Sequence, residues 1–175
     1  MNAIDGEGHH PKHQFDKMSS SAGEEYSDIT EELNEMMITN ALEIMCFRIK
    51  SLFITRKITQ ICNMRDCDYY FISYVATTAY FVNKVRPYGK WDIKRYDYKY
   101  NDHFIYNGEV YSGEDLGNIH FGFVGSTMYS PWFLHFGAGV VQILVGTKWK
   151  YWKTLFDEPR DSDMIDYGIE LYENR

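Results

Sequence analysis

"DITEELNEMMITNALEIM", residues 28–45, decides the fold class of this chain. Ile29, Leu33, Met36, Met37, Ile44 and Met45 recur at the three-to-four spacing of one helical face, and "DITE" has the pattern of a capping box. The methionines read as core filler, since an unbranched thioether packs into irregular gaps. A helix this amphipathic needs other elements to cover its apolar side, so the rest of the chain is read for what could pack on it.

Downstream, residues 68–85 predict a second helix begun by Asp68 and stopped before Pro87, although their β-branched and aromatic content leaves a strand open. "HFIYNGEVY", 103–111, alternates around Asn-Gly, and both central residues of a type I′ turn need positive φ, so a hairpin is expected. Ser130-Pro131 opens a further helix by the cap-then-proline rule, with Phe133, Phe136, Val140, Ile143 and Leu144 on its inner face and Gly146 as its stop. Gly137 and Gly139 inside it suggest a close approach of backbone or ligand. A last helix starts near Asp161 and turns Ile165, Ile169 and Tyr172 inward. The expected fold is α+β: a predominantly helical single domain with a small antiparallel β-hairpin near residues 103–111. With 175 residues, 45% of them hydrophobic, there is material for one core. Residues 1–27 are polar and aperiodic and read as a linker, with His9, His10 and His13 in a solvated tail rather than a metal-binding arm. The domain proper is 28–175.

The net charge of −7 argues against a surface that clings to phosphate everywhere. Positive charge is instead concentrated: Lys84, Arg86, Lys90, Lys94, Arg95 and Lys99 stand against Asp92 and Asp97, interleaved with Tyr88, Trp91, Tyr96 and Tyr98. "KWKYWK", 148–153, repeats the mixture. Cations beside aromatic faces suit nucleic acid or sugar rings, and suit an ordinary solvated face equally well. Cys46, Cys62 and Cys67 are an odd set with no CxxC pair, which argues against a disulfide frame or metal knuckle. The longest charge-free apolar run, Tyr69 to Asn83, is shorter than the roughly 20 residues of a spanning helix, and no signal peptide is read.

Spacing alone gives no HExxH, GxSxG, P-loop or paired CxxC. His120 follows "LGNI", where the glycine and asparagine suggest a turn, and turns held by scaffold often mount reactive groups. A lone histidine is as readily structural, and His103 and His135 have less to recommend them. Asp157, Glu158, Asp161 and Asp163 in "FDEPRDSD" read first as acidic residues at a helix start, with Asp157 or Asp161 secondly a partner for His120 at a metal.

Four ordered blocks, "VRPYGKWDIK" (85–94), "LGNIHFGFVG" (116–125), "FGAGVVQ" (136–142) and "FDEPRDSDMIDYGIEL" (156–171), resemble the bacterial toxin 44 domain, also called polymorphic toxin type 44. The likeness runs over about 75–175. Arg86, Gly89, Trp91, Asp92 and Lys94 match the first block, with Tyr88 where the family has glycine. Gly117, Asn118, His120 and Gly122 match the second, with Phe121 for tyrosine. Gly137, Ala138, Gly139 and Gln142 match the third, and Asp157, Pro159 and Asp161 the fourth, with Glu158 in the second acidic place. "NAIDGEGHHP" (2–11) is similar to the degenerate end of the core repeats in Rhs and YD-repeat proteins, after which toxin cartridges begin.

The resemblance implies an antibacterial effector released from a large secreted carrier into a competing cell and neutralised by a cognate immunity protein. It further implies a metal-independent RNase working in the target cytoplasm without a cofactor. A base, an acid and cations around the phosphorane suffice for such an enzyme. His120, Arg86, Lys94 and Asp92 are the expected catalytic residues, and Trp91, Tyr88, Asn118 and Gln142 the expected substrate contacts. Asp157 and Asp161 are further candidates, and no metal is expected. A peptidoglycan hydrolase acting in the periplasm is the rival, followed by a non-enzymatic interaction module. The toxic unit expected from the blocks is about residues 65–175.

Overall fold

The computed structural model describes residues 26–65, 68–99, 102–137 and 159–175. Helix α1 (Thr30–Ile61) runs antiparallel to α2 (Asp68–Val85), with Glu43 opposite Tyr80 and Lys84 at one end and Thr55 opposite Tyr69 at the other. A short α3 (Ile93–Tyr96) leads to the hairpin of β1 (His103–Tyr106) and β2 (Glu109–Ser112). Then come α4 (Gly113–Gly125), α5 (helical over 131–137) and α6 (Pro159–Glu173). The expected α+β, mostly helical domain with one hairpin is what forms.

The hairpin pairs His103 with Ser112 and Tyr106 with Glu109. Asn107 and Gly108 take φ of 51° and 82°, as a type I′ turn demands. Residues 68–85 are helical throughout, so the strand alternative falls away. The start of α1 differs from the expected capping box: Ile29 holds the cap position, and the Asp28 carboxylate accepts the Thr30 N–H at 2.9 Å. The chain before α1 is engaged elsewhere, because Ile29 N–H donates to Ile105 O and Ser27 O accepts from Ile105 N–H, laying it along β1. A true capping box stands at α4 instead, where Ser112 and Asp115 satisfy each other's backbone N–H groups.

Helix α4 is the hub. Its Leu116, Ile119 and Val124 are wholly buried, and Leu33, Met37, Ala41 and Ile44 of α1 pack the same core with Met164, Ile165 and Ile169 of α6. Helices α4 and α6 run parallel, with Asp115 beside Arg160, Asn118 beside Asp161 and Phe123 beside Tyr172. Two glycines permit the crossing: a Cβ at Gly122 would stand 2.2 Å from Ile165 O, and one at Gly168 would stand 2.1 Å from Ile119 O.

The inner face of α5 differs from expectation as well. Leu134 is buried and Phe133 half-buried, whereas Phe136 is exposed and stacks on Trp132. Among the described residues no atom comes within 4 Å of where a Cβ at Gly137 would stand. Val140, Ile143, Leu144, Gly139, Gly146 and the "KWKYWK" cluster lie outside the described residues. No helix among the described residues is long and apolar enough to cross a membrane.

Candidate functional site

The first sequence block builds a turn that ends α2 and returns to the core. Gly89 sits on the last carbonyls of α2, where a Cβ would meet Lys84 O at 2.3 Å and Asn83 O at 2.8 Å. Trp91 N–H donates back to Lys84 O, and the Asp92 carboxylate accepts from Tyr88 N–H at 2.8 Å and from Arg95 Nε at 2.9 Å. Tyr88 has φ of 63°, the left-handed region that glycine enters without cost, which gives a physical reason for the family's glycine there.

This turn separates the basic stretch into two sets. Lys84 is drawn in, bonded to Glu43 at 2.6 Å and lying over the Tyr80 and Trp91 rings. Outside, Arg86, Tyr88, Lys90 and Arg95 are exposed, with the Arg95 guanidinium 4.6 Å from the centre of the Tyr88 ring. Arg86 has no ion pair among the described residues. Lys94 lies along α4, its stem against the Cα of Gly117. Trp91 and Asp92 are only 4% exposed, so Trp91 offers no open face for a base to stack on in this conformation.

His120 is not at a turn. It stands in the middle of α4, 1% exposed, with Nε2 2.9 Å from Asn40 Nδ2 and its ring near Trp91. Burial pushes its pKa down to about 4, so the imidazole is neutral at pH 7. Gly117 and Asn118 suggested a turn, yet Gly117, like Gly113, Gly122 and Gly125, is where backbone or side chains of other elements come close.

Asn118 donates to Asp161 Oδ1 at 2.8 Å, joining the second and fourth blocks. Beside them Arg160 forms two hydrogen bonds to Asp115, at 2.8 and 2.7 Å. Burial would raise the Asp115 pKa, but the bonds from Arg160 and Ser112 outweigh it and the net direction is down. Gln142 and Asp157 lie outside the described residues. Among the described residues no group of three His, Cys, Asp or Glu side chains is placed to hold a metal ion.

His135, on α5, has two polar side-chain partners. Its Nε2 is 2.8 Å from Asp166 Oδ1, its Nδ1 is 3.3 Å from Ser162 Oγ, and its side chain keeps 16% of its exposure. Sequence reading ranks it below His120 because its partners lie far along the chain. The available signal was Ser162 and Asp166, four apart on α6 and therefore on one face. Lys94 on Gly117, Asn118 on Asp161, and Ser162 on His135 make a sequence of neighbours from the basic turn to this pair.

No curated protein and no solved structure matches the chain. The family model described as bacterial toxin 44 matches residues 80–174, more than half of the sequence, and takes in α4, α6 and the turn that seats Trp91. The chain therefore belongs to the bacterial toxin 44 family.

Proposed function

We propose that this toxin domain cleaves RNA in the cytoplasm of the target cell. The observation that carries the reading is the His135–Asp166 pair, reachable from solvent and connected through α4 and α6 to an exposed basic and aromatic turn. Arg86, Lys90 and Arg95 supply charge for phosphates, and Tyr88 supplies a face for a base. With Asp166 accepting Nε2–H, Nδ1 is left with a lone pair, and the Ser162 hydroxyl occupies the position a ribose 2′-hydroxyl would take. His135 then draws the proton from that hydroxyl as its oxygen attacks phosphorus; the bond to the 5′-oxygen breaks, that oxygen takes a proton from water, and a 2′,3′-cyclic phosphate is left, while Arg86 and Lys94 offset the phosphorane charge.

In this reading His120, Trp91 and Asp92 position the basic turn from inside the core and do not touch substrate. A cognate immunity protein would cover the turn, forming a complex that weakens with salt. Upstream, a secreted carrier would deliver the domain.

Total bacterial RNA incubated with the purified chain and a chelator should give discrete fragments. His135→Ala should slow that cleavage by about 10²- to 10⁴-fold. Folded His120→Gln protein that loses cleavage while His135→Ala keeps it would return proton transfer to His120. Intact RNA with growth arrest only on export to the periplasm would favour cell-wall hydrolysis instead.

A further inference from the structure

The outer halves of α1 and α2 are packed inside out. Between the two helices lie hydroxyl side chains: Ser51, Thr55 and Thr59 from α1, each four residues from the next, and Ser73 and Thr77 from α2, all at most 7% exposed. Thr55 Oγ1 donates to Ser51 O at 2.8 Å and lies 3.2 Å from Tyr69 O across the interface, and Thr77 Oγ1 donates to Ser73 O. The large apolar groups face away from this seam. Phe53 is 67% exposed, Ile61 84% and Phe71 70%, with Ile54, Tyr70 and Val75 open as well.

In water a helical hairpin gains by the opposite arrangement, apolar side chains within and hydroxyls without. Small and hydroxyl residues in the seam with apolar residues outside is how helices pack when the surroundings are hydrocarbon. The apolar residues cover a wide arc on both helices, more than the single face a protein partner contacts. Charge selects the kind of surface. Arg48, Lys50, Arg56, Lys57 and Arg65 are all exposed here, whereas Asp66 and Asp68 are the acidic residues between 48 and 75, in a chain whose total is −7. Two copies meeting through these tips would bring like charges together, while an anionic surface is attracted.

We propose that the outer halves of α1 and α2, about residues 48–65 and 68–75, insert into one leaflet of an anionic phospholipid bilayer. From Arg48 to Ile61, α1 rises about 20 Å, less than the roughly 30 Å hydrocarbon core, so the tip enters without spanning. The long stems of Arg56 and Lys57 carry their charges back to the headgroups. The proposal is independent of the RNase reading, because none of these residues belongs to the basic turn or the His135 pair.

The test is sedimentation of the full chain with phosphatidylglycerol/phosphatidylcholine vesicles and with phosphatidylcholine alone. A Phe71→Trp variant reports depth through quenching by brominated lipid. Wild type should sediment with the anionic vesicles and the tryptophan should be quenched. Arg56→Gln with Lys57→Gln should weaken binding about thirtyfold, at about 1 kcal/mol for each cation near the surface. Phe53→Ser with Phe71→Ser should abolish it, circular dichroism verifying that these exposed positions leave the fold intact. Absence of binding to anionic vesicles overturns the proposal, as does binding indifferent to all four substitutions. Dimerisation in solution that Phe53→Ser with Phe71→Ser abolishes, without lipid binding, would assign the face to a second copy and overturn it equally.

Discussion

His120 is uncharged at neutral pH because the core around it cannot solvate an imidazolium. Its folded pKa, near 4, lies below the unfolded value near 6.5, so the unfolded chain binds more protons between those limits. The stability this contributes is complete above pH 6.5 and is lost as pH falls from 6.5 towards 4, amounting to about 3 kcal/mol across the window. Denaturant unfolding at pH 7 and pH 4.5 should show this loss in wild type, and His120→Gln should flatten that part of the profile. Tyr88 makes a different residue-scale case. A non-glycine residue in the left-handed region costs about 1–2 kcal/mol, and glycine recovers this at an unfolded-state entropy cost of about 0.5–1 kcal/mol. Tyr88→Gly should therefore leave the melting temperature equal or slightly higher while weakening RNA binding, because the ring stacked on Arg95 is gone. A melting temperature lowered by several degrees would instead give the Tyr88 ring a structural role.

At the scale of elements, the parallel crossing of α4 and α6 holds the sequence blocks together, and its closeness depends on Gly122 and Gly168. A methyl at Gly168 would overlap Ile119 O and crowd Phe123 N, both backbone atoms that cannot step aside without moving a helix. Gly168→Ala should cost about 3 kcal/mol or more, at or beyond the upper end of ordinary overpacking, whereas Gly137→Ala, whose Cβ meets no atom of the described residues within 4 Å, should be neutral or stabilising. Urea midpoints for the two variants check both. The same glycines explain what was legible in the sequence. Helices α1, α2 and α6 and the hairpin could be read because their signals are local: apolar period, a cap, Asn-Gly. Helix α4 could not, because four glycines lower its propensity and the compensation comes from tertiary contact with α6, α3 and the core. Neither the Asn118–Asp161 contact nor the His135–Asp166 pair could be read, because each needs two helices brought side by side.

For the whole molecule, the decisive relation is between the family segment and α1, which lies outside it. Leu33, Met37 and Ile44 are wholly buried, and Asn40 is the hydrogen-bond partner of His120. Each such apolar side chain contributes about 1.5–3 kcal/mol by burial, so the three together reach the 5–15 kcal/mol that stabilises a typical domain. Losing them also uncovers Leu116 and Ile119 and leaves the His120 ring without Asn40. A toxic unit of about 65–175, as the blocks alone suggested, is therefore expected to be too short to fold. A chain beginning after Gly23 keeps α1 and the backbone bonds from Ser27 and Ile29 to Ile105. That shortened chain should melt cooperatively within a few degrees of the full one and stop growth when expressed alone. A chain beginning at Arg65 should show no cooperative melt and no toxicity. If the chain beginning at Arg65 is both folded and toxic, α1 is an accessory to the domain and not part of its core.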